Sequence, residues 1–271
     1  MLASLRPMNL GELLDRSFFL YRKHFLLFVG IVALPHLVLL AFQLIGVAIR
    51  PKTPALMMLS GIWALASAVL YLAVIATSQG ATVVAVSKVH LGHEASISEA
   101  FAGIKKRILG LAWIMIVMGL VVGFGFILLI IPGIMLGLMW ALTIPVAVLE
   151  GTGLSSSVSR SAELTKGSRW RIFVICFLFL VLTYIVYVLW EMPIFVAIGM
   201  FAQRHGPGAI PVWTQVALPV GTFLTECLVG PLMTIALSLV YYDQRVRKEA
   251  FDLQHMMAAL DAPQGGASAP A

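Results

Sequence analysis

The sequence predicts an all-α fold, a polytopic membrane bundle of six transmembrane helices with three short amphipathic helices at the cytoplasmic interface. Three observations predict it. The chain is 61% hydrophobic and only 11% charged, too little charge to clothe a soluble bundle of this size. Several apolar runs exceed the roughly 20 residues a helix needs to cross about 30 Å of hydrocarbon. Finally, a short helix-forming segment precedes an apolar hairpin three times, at 9–25, 96–108 and 153–172. That recurrence predicts a pseudo-threefold arrangement of helix-plus-hairpin units, about 9–90, 96–150 and 153–243, within a single domain over 1–254. The Gly/Ala/Pro/Gln-rich remainder, 255–271, is expected to be a disordered tail.

Charge placement sets the expected orientation. Of the 18 Lys and Arg, 15 fall in the N-terminal segment, the two loops preceding the later hairpins and the C-terminal segment. Only Arg50, Lys52 and Arg204 fall on the other side. By the positive-inside rule both termini are cytoplasmic. A nucleic-acid partner would need a basic face on a soluble module, and the net charge of +6 is instead dispersed along membrane anchors. Residues 1–24 do not read as a cleavable signal, because Glu12, Asp15, Arg16, Arg22 and Lys23 interrupt any apolar core.

The first short helix opens at Asn9, an N-cap with Glu12 as its capping-box partner. Leu10, Leu13, Leu14, Phe18 and Tyr21 recur at helical spacing. It is expected either to lie in the interface plane or to pack on the mouth of the bundle. The first span, 25–48, is interrupted by Pro35-His36. The second starts at Ala55 and runs on to about Ser87, too long for a perpendicular crossing. Its Ser60, Ala64 and Ala68 form a small-residue stripe suited to helix contact.

Ser96 and Glu99 make the second capping box, and Lys105-Lys106-Arg107 anchor the third span, 108–131. That span holds Gly119-x-x-x-Gly123, expected to pack within the chain. Pro132-Gly133 is expected to turn the chain, with Gly133-x-x-x-Gly137 opening a short fourth span to Leu149. The third short helix carries Leu154, Val158, Ser161, Ala162 and Thr165 on its less polar face and Gly167 as its stop. Span five, 172–201, contains Glu191 and Pro193, and span six, 212–240, contains Pro219, Glu226 and Gly230-Pro231.

Candidate functional residues are few. Glu191 and Glu226 are ionisable groups within apolar spans, which is costly and points to a substrate or ion site. Pro231 withholds a hydrogen bond from the carbonyl of Cys227, so polar backbone could line the same pocket. His36 has no second His at ligand spacing and reads as a structural hydrogen bonder. Gln43, Thr77, Ser78 and Gln79 read the same way. Arg160, Arg169, Trp170 and Arg171 are placed to meet lipid phosphates or a partner's surface. Cys176 and Cys227 both lie in spans and suggest no disulfide or metal knuckle. No nucleophile, P-loop, metal-ligand or cofactor motif is legible.

The segments LGELLDRSFFLYRKHF at 10–25, IPGIMLGLMWALTIPVAVLEG at 131–151, SRSAELTKGSRWRIF at 159–173 and YYDQRVRKEAFDL at 241–253 resemble the integral membrane domain of bacterial glycerophosphodiester phosphodiesterases. In fused family members a separate TIM barrel of roughly 250 residues performs catalysis. The resemblance therefore implies a stand-alone membrane domain without catalytic residues, in the bacterial inner membrane. The expected function is non-enzymatic: a scaffold or partner subunit for an envelope or lipid-related process. The alternative is a small transporter, channel or lipid-handling protein with its site near Glu191 and Glu226. Membrane lipids are the expected partners, with another membrane or cytoplasmic protein as a further possibility; oligomeric state stays open.

Overall fold

The computed structural model describes residues 7–47, 54–206 and 211–249. Arg50, Lys52 and the expected tail 255–271 lie outside the described residues. The described chain is all-helical, and six of its helical stretches are long and apolar enough to cross a membrane. It is a multi-pass membrane protein.

Helix α1 (Leu10–Lys23) begins at Asn9, whose side chain accepts from the Glu12 N–H while the Glu12 carboxylate accepts from the Asn9 N–H. Both orphan donors of the first turn are thereby satisfied. It buries Leu13, Ser17, Leu20 and Tyr21, one helical face, so α1 packs on the bundle, while Phe18 and Phe19 stay exposed. Helices α2 (Phe25–Val47) and α3 (Pro54–His90) form the first long pair. The 37 residues of α3 make about 55 Å at 1.5 Å per residue, longer than any bilayer core. Its Ala64 and Ala68 are exposed and Ser60 is half-buried, so the small-residue stripe is not a buried helix contact. The α2–α3 approach instead runs through Phe42 stacked on Trp63, ring centroids 4.1 Å apart. Gly46 admits the indole there, since a Cβ would stand 2.3 Å from Trp63 Nε1.

The second short helix, α4 (Ile97–Ile104), carries its capping box at Ser96 and Glu99. It leads into α5 (Ile108–Leu128). Gly119 and Gly123 face open space, so this GxxxG does not pack within the chain. The turn also falls earlier than the sequence suggests. Leu129 is extended (φ −162°, ψ 142°) and α6 (Ile130–Met139) starts right after it. Pro132 sits in the first turn of α6, where its missing N–H would have no helical partner in any case. Gly125 and Gly133 then bring the two helices into close contact, a Cβ on Gly133 meeting the Phe126 ring at 2.5 Å.

The fourth span is not one helix. It stops at Met139 and resumes as α7 (Thr143–Leu149). Pro145 explains the break, because its ring excludes the carbonyl four residues earlier, that of Ala141, from helical geometry. The third short helix, α8 (Leu154–Thr165), heals it. Ser161 Oγ accepts from the Leu142 N–H at 3.1 Å and donates to the Met139 carbonyl at 3.0 Å; Thr165 Oγ1 donates to the same carbonyl at 3.2 Å. Ser157, Ser161, Leu164 and Thr165 are accordingly buried, so α8 docks by its hydroxyl face. Gly167, at φ 84°, takes the left-handed turn that ends α8.

Helices α9 (Arg169–His205) and α10 (Val212–Glu249) complete the chain. Helix α10 is the axis, packed on α1, α2, α3 and α9. From Leu232 to Val246 it is buried nearly all round, as expected of a helix surrounded by others. Burial is polarised along the bundle. The three short helices cap one end, and there the core is dense. At the other end α2 beyond Leu39, α3 before Val74 and α9 beyond Phe179 bury no hydrophobic residue among those described.

Candidate functional site

Two polar constellations stand out against the apolar bundle. The first is at the capped end and is built on the sequence YYDQRVRKE at the end of α10. Asp243 is 1% exposed and accepts from four donors. These are the Met8 N–H (2.7 Å), Arg171 Nη1 (2.7 Å), Arg247 Nε (2.9 Å) and Gln244 Nε2 (3.3 Å). Arg247 also donates to the Met8 carbonyl at 2.6 Å, so the chain ahead of α1 is held at both its N–H and its C=O.

A second knot sits beside it. Arg160 of α8 pairs with Glu150, Glu163 and Glu249. Tyr241 donates to Glu150 at 2.9 Å, and Arg245 pairs with Glu249 at 3.0 Å. Burial opposes the Arg160 charge, but Glu150 and Glu249 outweigh it and raise its pKa. Lys248 Nζ caps the end of α8 through the carbonyls of Glu163 and Lys166. Tyr242 joins α3 to the cap through Ser87 Oγ at 2.7 Å and stacks near His90. At the rim Lys88 pairs with Glu99 at 3.0 Å, which together with the Ser96 backbone hydrogen bond lowers the Glu99 pKa.

The residues expected to meet lipid or a partner therefore divide. Arg160 and Arg171 are committed to internal pairs, while Trp170 is 76% exposed. Arg169 Nε is buried without a hydrogen-bond partner. Lys105, Lys106 and Lys166 are exposed at this end, as are Arg22, Lys23 and Arg107.

The second constellation is a cavity of about 230 Å³ inside the bundle, between α2, α3 and α10. It is lined by His36, Tyr71, Ser78, Gln79, Glu226 and Thr234. His36 stands 11 positions into the 23-residue α2, about 17 Å along it, so the cavity is level with the middle of that span. The glycine at 230 makes room for the acid: a Cβ there would come within 3.1 Å of Glu226 Oε2. Pro231 withholds a helical hydrogen bond from the Cys227 carbonyl, and Tyr21 of α1 donates to the neighbouring Leu228 carbonyl at 2.6 Å. His36 Nδ1 lies 2.9 Å from the Val32 carbonyl and 3.4 Å from Ser78 Oγ. Its Nε2 is buried with no hydrogen-bond partner.

Glu191 is elsewhere. It lines a separate groove of about 630 Å³ along α9 with Tyr184, Tyr187 and Phe195, and meets the Thr222 hydroxyl. The structure thus joins Glu226 to His36, Ser78 and Gln79 and leaves Glu191 apart. The partners of Glu226 come from helices distant in sequence, so periodicity within one helix carries no signal for them. Among the described residues no three His, Cys, Asp or Glu side chains converge as metal ligands.

Fold and constellations define a class: a polytopic α-helical membrane protein with one end locked by buried charge. Residues 112–258, more than half of the chain, match the membrane domain of glycerophosphoryl diester phosphodiesterase, and the chain belongs to that family. The match opens in α5 and takes in α6 to α10, including both charge knots on α10; the similar segment at 10–25 lies outside it. No catalytic domain is evident. No curated protein and no solved structure matches the chain.

Proposed function

We propose that this chain is a non-enzymatic membrane component, a scaffold or partner subunit for a lipid-related activity of the bacterial inner membrane. Its capped end faces the cytoplasm, the side to which 15 of the 18 Lys and Arg belong in the sequence, and its exposed cations meet the anionic leaflet. The observation that carries this reading is the double lock on α10, Arg171–Asp243–Arg247 and Glu150–Arg160–Glu249. It holds α1, α8 and α9 to one axis and makes a rigid platform. Lys105, Lys106, Lys166 and Trp170 project from that platform toward headgroups or a partner. The family supports a link to glycerophosphoryl diesters, the chemistry in its name.

The test compares glycerophosphodiester hydrolysis in membranes with and without the chain, and by the purified chain alone. The proposal expects no hydrolysis by the chain itself, a fall on deletion, and restoration by wild type but not by a Lys105→Glu, Lys106→Glu, Lys166→Glu variant. Hydrolysis by the purified chain, or full restoration by the charge-reversed variant, contradicts it. A second reading, a lipid-handling or transport protein, draws on one observation: the Glu226 cavity in the middle of the bundle.

A further inference from the structure

We propose that the cavity between α2, α3 and α10 is a binding site for a primary ammonium group, recognised by Glu226 and His36. The proposal rests on the second reading above and is independent of the platform. Its argument begins with the histidine. A carbonyl can only accept, so the short contact to Val32 makes Nδ1 the proton-bearing nitrogen. When the ring is neutral, that tautomer presents the lone pair of Nε2, and His36 is 5% exposed with that atom unpartnered. Glu226 lines the same space with its carboxylate and makes no ion pair among the described residues.

Two acceptors, one of them anionic, face one small cavity in apolar surroundings. A buried anion is held there only by neutralisation, by pairing or by donors. A primary ammonium supplies a positive charge and three N–H donors. One donor fits the Glu226 carboxylate, one fits His36 Nε2, and the third fits the Gln79 carbonyl or a hydroxyl of Ser78 or Thr234. Thr82 is not needed, since its hydroxyl already donates to the Ser78 carbonyl at 2.7 Å. Access is lateral: Tyr71 lines the cavity and is 38% exposed on the outer face of α3. The ammonium could belong to an aminophospholipid headgroup or to a small soluble amine. A trimethylammonium headgroup has no N–H and leaves both acceptors unmet.

The experiment uses the full chain in nanodiscs of phosphatidylethanolamine or phosphatidylcholine, with ethanolamine as the soluble arm. Native mass spectrometry reads retained lipid, and esterification by a diazo reagent, which free amines do not divert, reads the reactivity of Glu226 in the wild-type chain. We expect retained phosphatidylethanolamine, slower labelling of Glu226 in that lipid or in ethanolamine than in phosphatidylcholine, and about tenfold weaker retention in Glu226→Gln, the loss of one charged hydrogen bond. Protection by the lipid alone assigns the ligand to the bilayer, and protection by ethanolamine as well assigns it to soluble amines too. Glu191→Gln, outside the cavity, should match wild type in the labelling of Glu226. Equal labelling in all three conditions, or protection by sodium ions as strong as by ethanolamine, overturns the ammonium site. If Glu226→Gln fails to fold, the wild-type labelling comparison decides alone.

Discussion

At the scale of single residues, Asp243 concentrates the most consequence in the fewest atoms. Its carboxylate is removed from solvent and surrounded by Arg171, Arg247, Gln244 and the Met8 N–H. Deleting one partner of a buried pair leaves the other charge uncompensated, which costs about 3–5 kcal/mol. Asp243→Asn is expected to lower unfolding stability by about 3 kcal/mol in a denaturant titration in bicelles, whereas Arg204→Gln, on an exposed residue at the other end, should change it negligibly. Glu99 gives the pH-dependent counterpart. Its folded pKa is lowered by Lys88 and the Ser96 backbone, so its stabilisation is present above the ordinary carboxylate range and is lost as pH falls through the lowered value. Amide exchange in 97–104 should therefore quicken relative to the core below that range, and exchange that is flat with pH there would remove Glu99 from the docking of α4. The sequence displayed Asp243 and Glu99 equally well. The capping box at 96–99 was legible because its partners are three residues apart; of the donors to Asp243 only Gln244 and Arg247 are local, while Met8 arrives from the chain ahead of α1 and Arg171 from α9.

At the scale of elements, the broken fourth span shows how a membrane helix tolerates irregular backbone. Within hydrocarbon each unmet N–H or C=O is costly, so non-helical backbone survives only where protein covers it. Ser161 and Thr165 supply that cover for Met139 and Leu142. Ser161→Ala with Thr165→Val should leave both backbone groups unmet and destabilise by about 1–3 kcal/mol, with hydrogen exchange at 139–143 rising first. Unchanged exchange there would mean that α8 is not what stabilises the break. Tyr21 ties α1 to α10 through the Leu228 carbonyl, and Tyr21→Phe, which removes that donor, should cost about 1 kcal/mol in the same titration. Pro145 was a usable signal for the break, since the carbonyl four residues before a proline is always excluded. The hydropathy of 134–149 masked it by reading as one continuous run. Conversely, the face expected of α8 shares only Ser161 and Thr165 with the buried one, which also takes in Ser157 and Leu164, because the target is a helix end whose unmet polar groups the hydropathy pattern does not reveal.

At the scale of the whole molecule, packing and charge are polarised together. The capped end holds the dense core and the two charge knots, whereas the far halves of α3 and α9 present Leu65, Val69, Leu189 and Phe195 outward. The six-span class and the charge asymmetry were legible from composition alone, because the hydrocarbon thickness leaves a chain this apolar few alternatives. The joining of Glu226 to His36 rather than to Glu191 was not, since it depends on which faces of α2, α3 and α10 meet. The platform account depends on the capped end lying in the cytoplasm. The direct measurement is cysteine labelling in intact cells with a membrane-impermeant maleimide, comparing Ser98→Cys and Ser155→Cys at the capped end with Trp213→Cys at the other, against the wild-type background of Cys176 and Cys227. The account predicts that Trp213→Cys is labelled in intact cells while the two capped-end cysteines react only after permeabilisation. Labelling of Ser98→Cys or Ser155→Cys in intact cells would contradict it.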